Sequence, residues 1–262
     1  MIISHKHRYV FLELPFTATR AISRELQLHY DGIPILSKHS NYPDFARYAN
    51  AIEKNYFIFC GLRNPMQIPV SLYLKYRNTN IEDLWLGDPE KKHNRNPVTL
   101  VHDAISRPKV RFAQRNDVGF DDFFLKYFKL PYDDWSRVSL KYCSAIIRFE
   151  SLQKDFANTL AEIGLKQMRE LPKRGNAVAW SHDPAGYYGD RAKARAKWVF
   201  GPYMKRWGYR FPEDWDDVGN QALANLTDDV LSFGRFSYWR WIRGILDLDV
   251  RARAKLWPHA TN

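Results

Sequence analysis

An apolar, strand-forming run, Tyr56-Phe57-Ile58-Phe59-Cys60, passes directly into Gly61-Leu62-Arg63-Asn64-Pro65 and then into Pro69-Val70-Ser71-Leu72-Tyr73-Leu74-Lys75-Tyr76-Arg77. No other stretch narrows the fold as much. It reads as a buried strand, a Gly/Pro-punctuated turn and a helix. Arg63 then stands at the carboxyl end of the strand, and Ser71, eight residues on, stands near the start of the helix. In open α/β sheets, ligands bind beyond the carboxyl ends of strands. A guanidinium fork with a hydroxyl at that point suits a phosphate.

The flanking segments repeat the alternation. Tyr9–Leu14 (YVFLEL) reads as a strand, and a Pro15–Arg20 turn follows. Ala21, Ile22, Leu26 and Tyr30 then recur at helical spacing up to Asp31-Gly32. Ile33–Leu36 reads as a further short strand with His39 just beyond it, and residues 45–51 read as a helix. Val118–Phe128 is amphipathic, Ala145–Phe149 is β-rich and followed by Glu150, and Leu152–Ile163 is periodic up to Gly164. Alternating β and α segments predict an α/β fold with a central parallel sheet and helices on both faces, in one domain over residues 1–262. Residues 78–117 are polar and largely aperiodic, and read as an insertion or lid within that domain. Residues 213–262 read as an aromatic and basic helical region. There Trp239, Arg240, Trp241 and Arg243 form either an interfacial face or a stripe packed onto its own domain beneath arginine stems.

Composition removes several classes. With 262 residues, 45% of them apolar, the chain can build a full core. No run approaches the roughly 18 apolar residues of a membrane span, and MIISHKHRYVFLEL has no signal-peptide h-region. The expected location is the cytoplasm if Met1 is the native start, and the Golgi lumen if an anchor precedes it. Cys60 and Cys143, each set in a strand-like apolar run, read as two buried thiols without a disulfide framework or zinc set. Forty basic against 29 acidic residues give a net charge of +11. That excess is either a solvated surface or a cleft drawing in phosphate, sulfate or an anionic acceptor, and charge alone does not separate these from nucleic-acid or lipid binding. No Walker A lysine motif is present, which disfavours a nucleotide kinase. No Gly-x-Ser-x-Gly elbow and no set with metal-ligand spacing is present either.

The first strand and helix enclose the run Pro15-Phe16-Thr17-Ala18-Thr19-Arg20-Ala21-Ile22. A tight strand–helix turn points backbone N–H groups at a ligand, at the positive end of the helix. Thr17 and Thr19 add hydroxyls, either of which can cap the helix. In type and position this run resembles the 5′-phosphosulfate loop of sulfotransferases that use 3′-phosphoadenosine 5′-phosphosulfate (PAPS). Arg63, Pro65, Ser71 and Tyr73 resemble the 3′-phosphate segment of the same family. Ile146 to Leu152 with Glu150, Lys173-Arg174-Gly175-Asn176, and Tyr187-Tyr188 with Trp207-Gly208-Tyr209 resemble later segments of its carbohydrate-type members, in the same order. The loop departs from the family pattern in three places. Phe16 stands where a Lys or Arg is usual, Ala18 or Thr19 where the loop glycine falls, and Arg20 at a hydroxyl position.

The resemblance implies a P-loop-like sulfotransferase fold with a central parallel sheet of about four or five strands. It implies PAPS as sulfuryl donor without a metal, and a hydroxyl acceptor on a sugar, a glycan or another small molecule. No nucleic-acid partner is implied, and membrane contact through the Trp-rich C-terminal region stays open. The 5′ end of PAPS would lie at Pro15, Phe16, Thr17, Ala18, Thr19 and Arg20, the 3′-phosphate at Arg63 and Ser71, and the nucleotide under a loop carrying Arg174 and Asn176. His39 is the candidate base, since an imidazole of near-neutral pKa suits removal of the acceptor proton. Glu13 is the competing carboxylate, and Arg20 the candidate substitute for the missing loop lysine. Lys75 and Arg77 face either an anion or solvent, and Glu150 reads as structural. The alternative is a catalytically impaired protein of the same fold that binds nucleotide or docks to a membrane or nucleic acid.

Overall fold

The computed structural model describes residues 1–78, 97–172, 184–215, 221–238 and 248–260. Its main elements, in chain order, are β1 (Ile2–Ser4), β2 (Tyr9–Leu12), α1 (Thr19–His29), β3 (Ile33–Pro34), α2 (Tyr42–Tyr48), β4 (Phe57–Leu62), α3 (Gln67–Asn78), α4 (Pro97–Ala113), α5 (Phe120–Tyr127), β5 (Ala145–Arg148), α6 (Leu152–Glu162), α7 (Asp190–Trp207), α8 (Ala222–Ser237) and α9 (Leu248–Lys255). The five strands form one sheet in the order β3-β1-β2-β4-β5. β2 pairs parallel with β4, placing Leu12 opposite Cys60, and β4 pairs parallel with β5, placing Leu62 opposite Arg148. The carboxyl ends of three neighbouring strands therefore open onto one edge.

The sheet is mixed, which corrects the expectation of a parallel one. β1 pairs antiparallel with both β2 and β3. Only His5–Arg8 separate β1 from β2, and so short a connection can close a hairpin but cannot carry a parallel crossover. Two further readings change. The Ile33–Leu36 strand shortens to Ile33–Pro34, because Leu36 turns left-handed at φ 53°. Cys143 is not in a strand: its N–H bonds the Leu140 carbonyl to close a helical turn, and strand pairing begins at Ser144, whose N–H donates to the Ile58 carbonyl at 2.6 Å.

The chain divides into two compact units. The first comprises Met1–Asn64, Asp133–Arg174 and Leu226–Asn262. It holds the whole sheet, with α1, α2, α6 and α9. β1 and β2 are buried along their full length, as expected for strands covered on both faces. Phe11 and Phe59 meet across the parallel pair with ring centroids 5.2 Å apart. α1 buries Ala21, Ile22 and Leu26 while Arg20 and Arg24 stay exposed, so its apolar stripe sets the rotation of the helix. Trp257 is buried within this unit, stacked on Phe45 at 5.7 Å. Trp239, Arg240, Trp241 and Arg243 lie outside the described residues.

The second unit comprises Pro65–Tyr132 and Gly175–Asn225 and contains α3, α4, α5 and α7. Its core is aromatic: Tyr73, Phe120, Phe123, Phe124, Tyr188 and Phe200 pack together with Val199 and Met204. Phe120 and Phe124 each meet Tyr188 edge-on, at 4.9 and 5.1 Å. Of the segment read as a lid, residues 97–113 form helix α4 and residues 79–96 lie outside the described residues. Gly208 ends α7 at φ 71°, with the Tyr209 N–H returning to the Met204 carbonyl. Among the described residues no helix is long and apolar enough to cross a membrane.

Candidate functional site

The β2–α1 turn is built from strained backbone. Phe16 and Ala18 are left-handed at φ 66° and 58°, a conformation that a bulky side chain rarely adopts and that costs of order 1–3 kcal/mol per residue. Two packing contacts hold it. The Thr17 hydroxyl donates to the Leu14 carbonyl at 2.8 Å, closing the turn from inside. Gly61 of β4 lies so close that a Cβ there would meet Thr17 Oγ1 at 2.5 Å. Glycine at 61 thus seats the loop on the neighbouring strand. Ala18 caps α1 without a side-chain hydrogen bond, and the first turn carries no acid. The N–H groups of Thr19 and Arg20 have no intrahelical partner by the geometry of a helix start. Thr17 and Thr19 are themselves buried, and the Thr17 hydroxyl is spent within the turn, so the unpaired N–H groups of the helix start are what this turn has to offer an anion.

Arg63 reaches this loop from the end of β4. Its Nη1 donates to the Phe16 carbonyl at 3.4 Å, and its guanidinium lies 3.9 Å over the Phe149 ring, just past β5. Arg63 is 5% exposed, so stacking and burial orient its fork. The Asn64 N–H donates to Glu150 Oε1 at 2.7 Å, which ties the turn after β4 to the end of β5 and gives Glu150 a structural task. Sequence reasoning missed Phe149 as the platform for Arg63. The signal was its place one residue beyond an apolar strand.

His39 sits on the same unit, left-handed at φ 64°. Its Nδ1 meets the Glu13 carbonyl at 2.6 Å. Since the carbonyl only accepts, Nδ1 carries the proton and Nε2 keeps the lone pair. Burial pulls the imidazole below its usual pKa and Lys38 adds to that, against the opposing effect of the hydrogen bond that the ring donates to the Glu13 carbonyl. A neutral ring with a free Nε2 is the form a general base needs. Glu13 is committed elsewhere: Oε2 pairs with the Met1 amino group, and Oε1 accepts from Ser23 at 2.6 Å. Burial raises the Glu13 carboxyl, but the ammonium and the Ser23 hydroxyl outweigh it and leave its pKa below the ordinary value.

The remaining candidates separate. Arg20 is exposed and lines a cavity of about 280 Å³ with Glu13, Ser23, Arg24, Lys38 and Arg253. Pro15 is half-buried at the loop's start. Ser71 and Tyr73 belong to α3 in the second unit, where Tyr73 donates to the Val118 carbonyl at 3.1 Å. Arg77 donates to Tyr73 Oη at 2.7 Å and to the same carbonyl, a structural task, and Lys75 is exposed. Tyr188 is core, donating to the Met66 carbonyl. Arg174 and Asn176 lie outside the described residues. A roomier cavity of about 770 Å³ lies within the second unit, walled by Met204, Tyr209, Phe211 and Trp215. Its lining also includes Lys205, Arg210 and Glu213, and neither His39 nor Glu13 belongs to it. No protein-family model, curated protein or solved structure matches this chain.

Proposed function

We propose that the chain is a PAPS-dependent sulfotransferase that moves a sulfuryl group to a hydroxyl of a carbohydrate or other small acceptor. The observation that carries this reading is the meeting of Arg63 with the β2–α1 loop at the carboxyl edge of adjacent parallel strands. That is where a nucleotide anchored at both phosphates has to be received. The residues fit the 5′ end through backbone rather than side chains: helix-start N–H groups and a seated loop, with Arg20 the first cation of α1. Arg63 supplies the fork for the 3′-phosphate. Ser71 keeps the role that the sequence resemblance assigns to it.

PAPS, when bound, presents a sulfuryl group on a phosphate leaving group. His39 Nε2 takes the proton of the acceptor hydroxyl as that oxygen bonds to sulfur. The bound donor would supply the leaving group there: its sulfur–oxygen bond would give up the electron pair to 3′-phosphoadenosine 5′-phosphate. The N–H groups at the start of α1 and the Arg20 guanidinium stabilise the charge that builds on the 5′-phosphate.

Calorimetry with 3′-phosphoadenosine 5′-phosphate, 5′-AMP and ATP tests the reading. The bisphosphate is expected to bind at micromolar affinity and about ten- to a hundredfold tighter than 5′-AMP, the range of a charge-assisted contact to one phosphate. Equal binding of the bisphosphate and 5′-AMP overturns it. Phe16 supports a second reading, a nucleotide-binding protein without turnover, because an exposed ring supplies no charge to the leaving oxygen. Bisphosphate binding without sulfuryl transfer to any hydroxyl acceptor, in the wild type and in Phe16→Lys alike, would select that second reading.

A further inference from the structure

The cavity beside α1 has four basic side chains in its lining against one acid. Arg20, Arg24, Lys38 and Arg253 line its volume of about 280 Å³. On α1, Arg20, Arg24 and Gln27 fall at i, i+4 and i+7, so one helix face delivers them together. The lining contains a single acid, Glu13, and that carboxylate is already paired with the Met1 amino group and accepts a hydrogen bond from Ser23. Among the described residues, Arg20, Arg24 and Lys38 make no ion pair. Like charges gathered around a concavity repel one another and focus a positive potential into it, and a bound anion relieves that repulsion. The same cavity adjoins the candidate base. Lys38 precedes His39, and the main chain of the lining residue Glu13 holds the His39 ring.

We propose that this cavity is the acceptor subsite and that it selects an acceptor bearing an anionic group, a carboxylate, sulfate ester or phosphate ester on the sugar unit near the reacting hydroxyl. The proposal rests on the sulfotransferase reading with His39 as base. The volume of about 280 Å³ lies just under the range of small-molecule sites, which run from roughly 300 to 1,000 Å³, so it admits no more than about one monosaccharide-sized unit. Arg24 and Lys38 act by binding and orienting the acceptor's charge. They take no part in proton or sulfuryl transfer.

The test is an NMR titration of the full chain with glucuronate, glucose 6-sulfate and glucose, without donor. It is repeated on an Arg24→Gln/Lys38→Gln double variant. Binding of 3′-phosphoadenosine 5′-phosphate by calorimetry is the control in both. Both lost side chains are exposed, so the variant is expected to fold, and its thermal midpoint verifies this. The two anionic sugars are expected to shift resonances around α1 and residues 33–39, with glucose far weaker. The double variant should lose about tenfold in affinity for the anions while nucleotide affinity holds. Glucose binding as well as glucuronate overturns the proposal, as does an unchanged affinity in the variant. If the anionic sugars bind as expected but the nucleotide does not, the sulfotransferase reading falls, and the acceptor role falls with it.

Discussion

The two units bury different chemistry. Among the described residues, every buried polar or charged side chain except Ser106 belongs to the first unit. The core of the second is aliphatic and aromatic. The backbone divides the same way. Among the described residues, all seven left-handed non-glycine residues, Arg8, Phe16, Ala18, Asp31, Leu36, His39 and Trp135, lie in the first unit. Buried polar groups and left-handed residues each cost stability, and they persist only where the surroundings over-determine them. The first unit carries nearly all of that cost, part of it where Arg63, His39 and the Phe16–Ala18 turn sit. Among the described residues the second carries only Ser106, and its core is ring packing. Strain and polar burial thus concentrate in the first unit, which holds the proposed site.

The largest expected effect that would sharpen this contrast is at His39. Asparagine tolerates the left-handed backbone there and is not a base, so His39→Asn isolates the proton transfer from the strain. Turnover should fall roughly 10²–10⁴-fold with nucleotide affinity unchanged by calorimetry. Full turnover in the variant removes the base role. In the second unit, Phe124→Ala should lower unfolding free energy by about 3–5 kcal/mol, since the ring is fully buried among Phe120, Phe128, Tyr188 and Phe200. A urea titration checks this, and a loss under about 1 kcal/mol would show that the aromatic cluster does not hold that unit.

Smaller effects follow at the nucleotide. Arg63→Ala should erase the preference for the 3′,5′-bisphosphate over 5′-AMP, a loss of about ten- to a hundredfold. Because the fork also braces Phe16, binding of the 5′ end should weaken less than the preference does. A preference that survives the substitution separates Arg63 from the 3′-phosphate. The smallest effect is in pH. The folded-state pKa of His39 is depressed by burial, so its stabilising share is complete above the ordinary imidazole value of 6.5 and is lost as pH falls through the lower folded value. Turnover should show an acid limb below pH 6.5 and be level at neutrality. The urea-midpoint gap between wild type and His39→Asn should narrow as pH drops. An acid limb unchanged in the variant would assign it to another group.

The segments with a strong period were legible from the chain alone. Tyr56–Cys60, Tyr9–Leu14, the Ala21–Tyr30 helix and the Leu152–Ile163 helix, with the stop at Gly164, appear within a few residues of where the pattern put them. The two helices carry a helical apolar period, and the two strands are short aromatic-rich apolar runs bounded by turn residues. The reversed β1 was not legible: Ile2-Ile3-Ser4 is too short to show a period, and its direction depends on the partner it meets. The cationic cavity was half-legible, since Arg20 and Arg24 share a helix face by spacing. Their company with Lys38 and Arg253 is not a property of any local segment.

By itself, then, the sequence determined the α/β alternation, the position of Arg63 at a strand end and the turn before α1, because each follows from periodicity and turn chemistry within about twenty residues. Only the tertiary structure decided three things. It set the antiparallel β1, turned the Thr17 hydroxyl inward to Leu14, and held His39 by the Glu13 carbonyl while the Glu13 carboxylate went to Met1 and Ser23. Each depends on which groups the fold brings together in a crowded interior, and a hydrogen-bond acceptor 26 residues away in the chain leaves no mark on the local pattern.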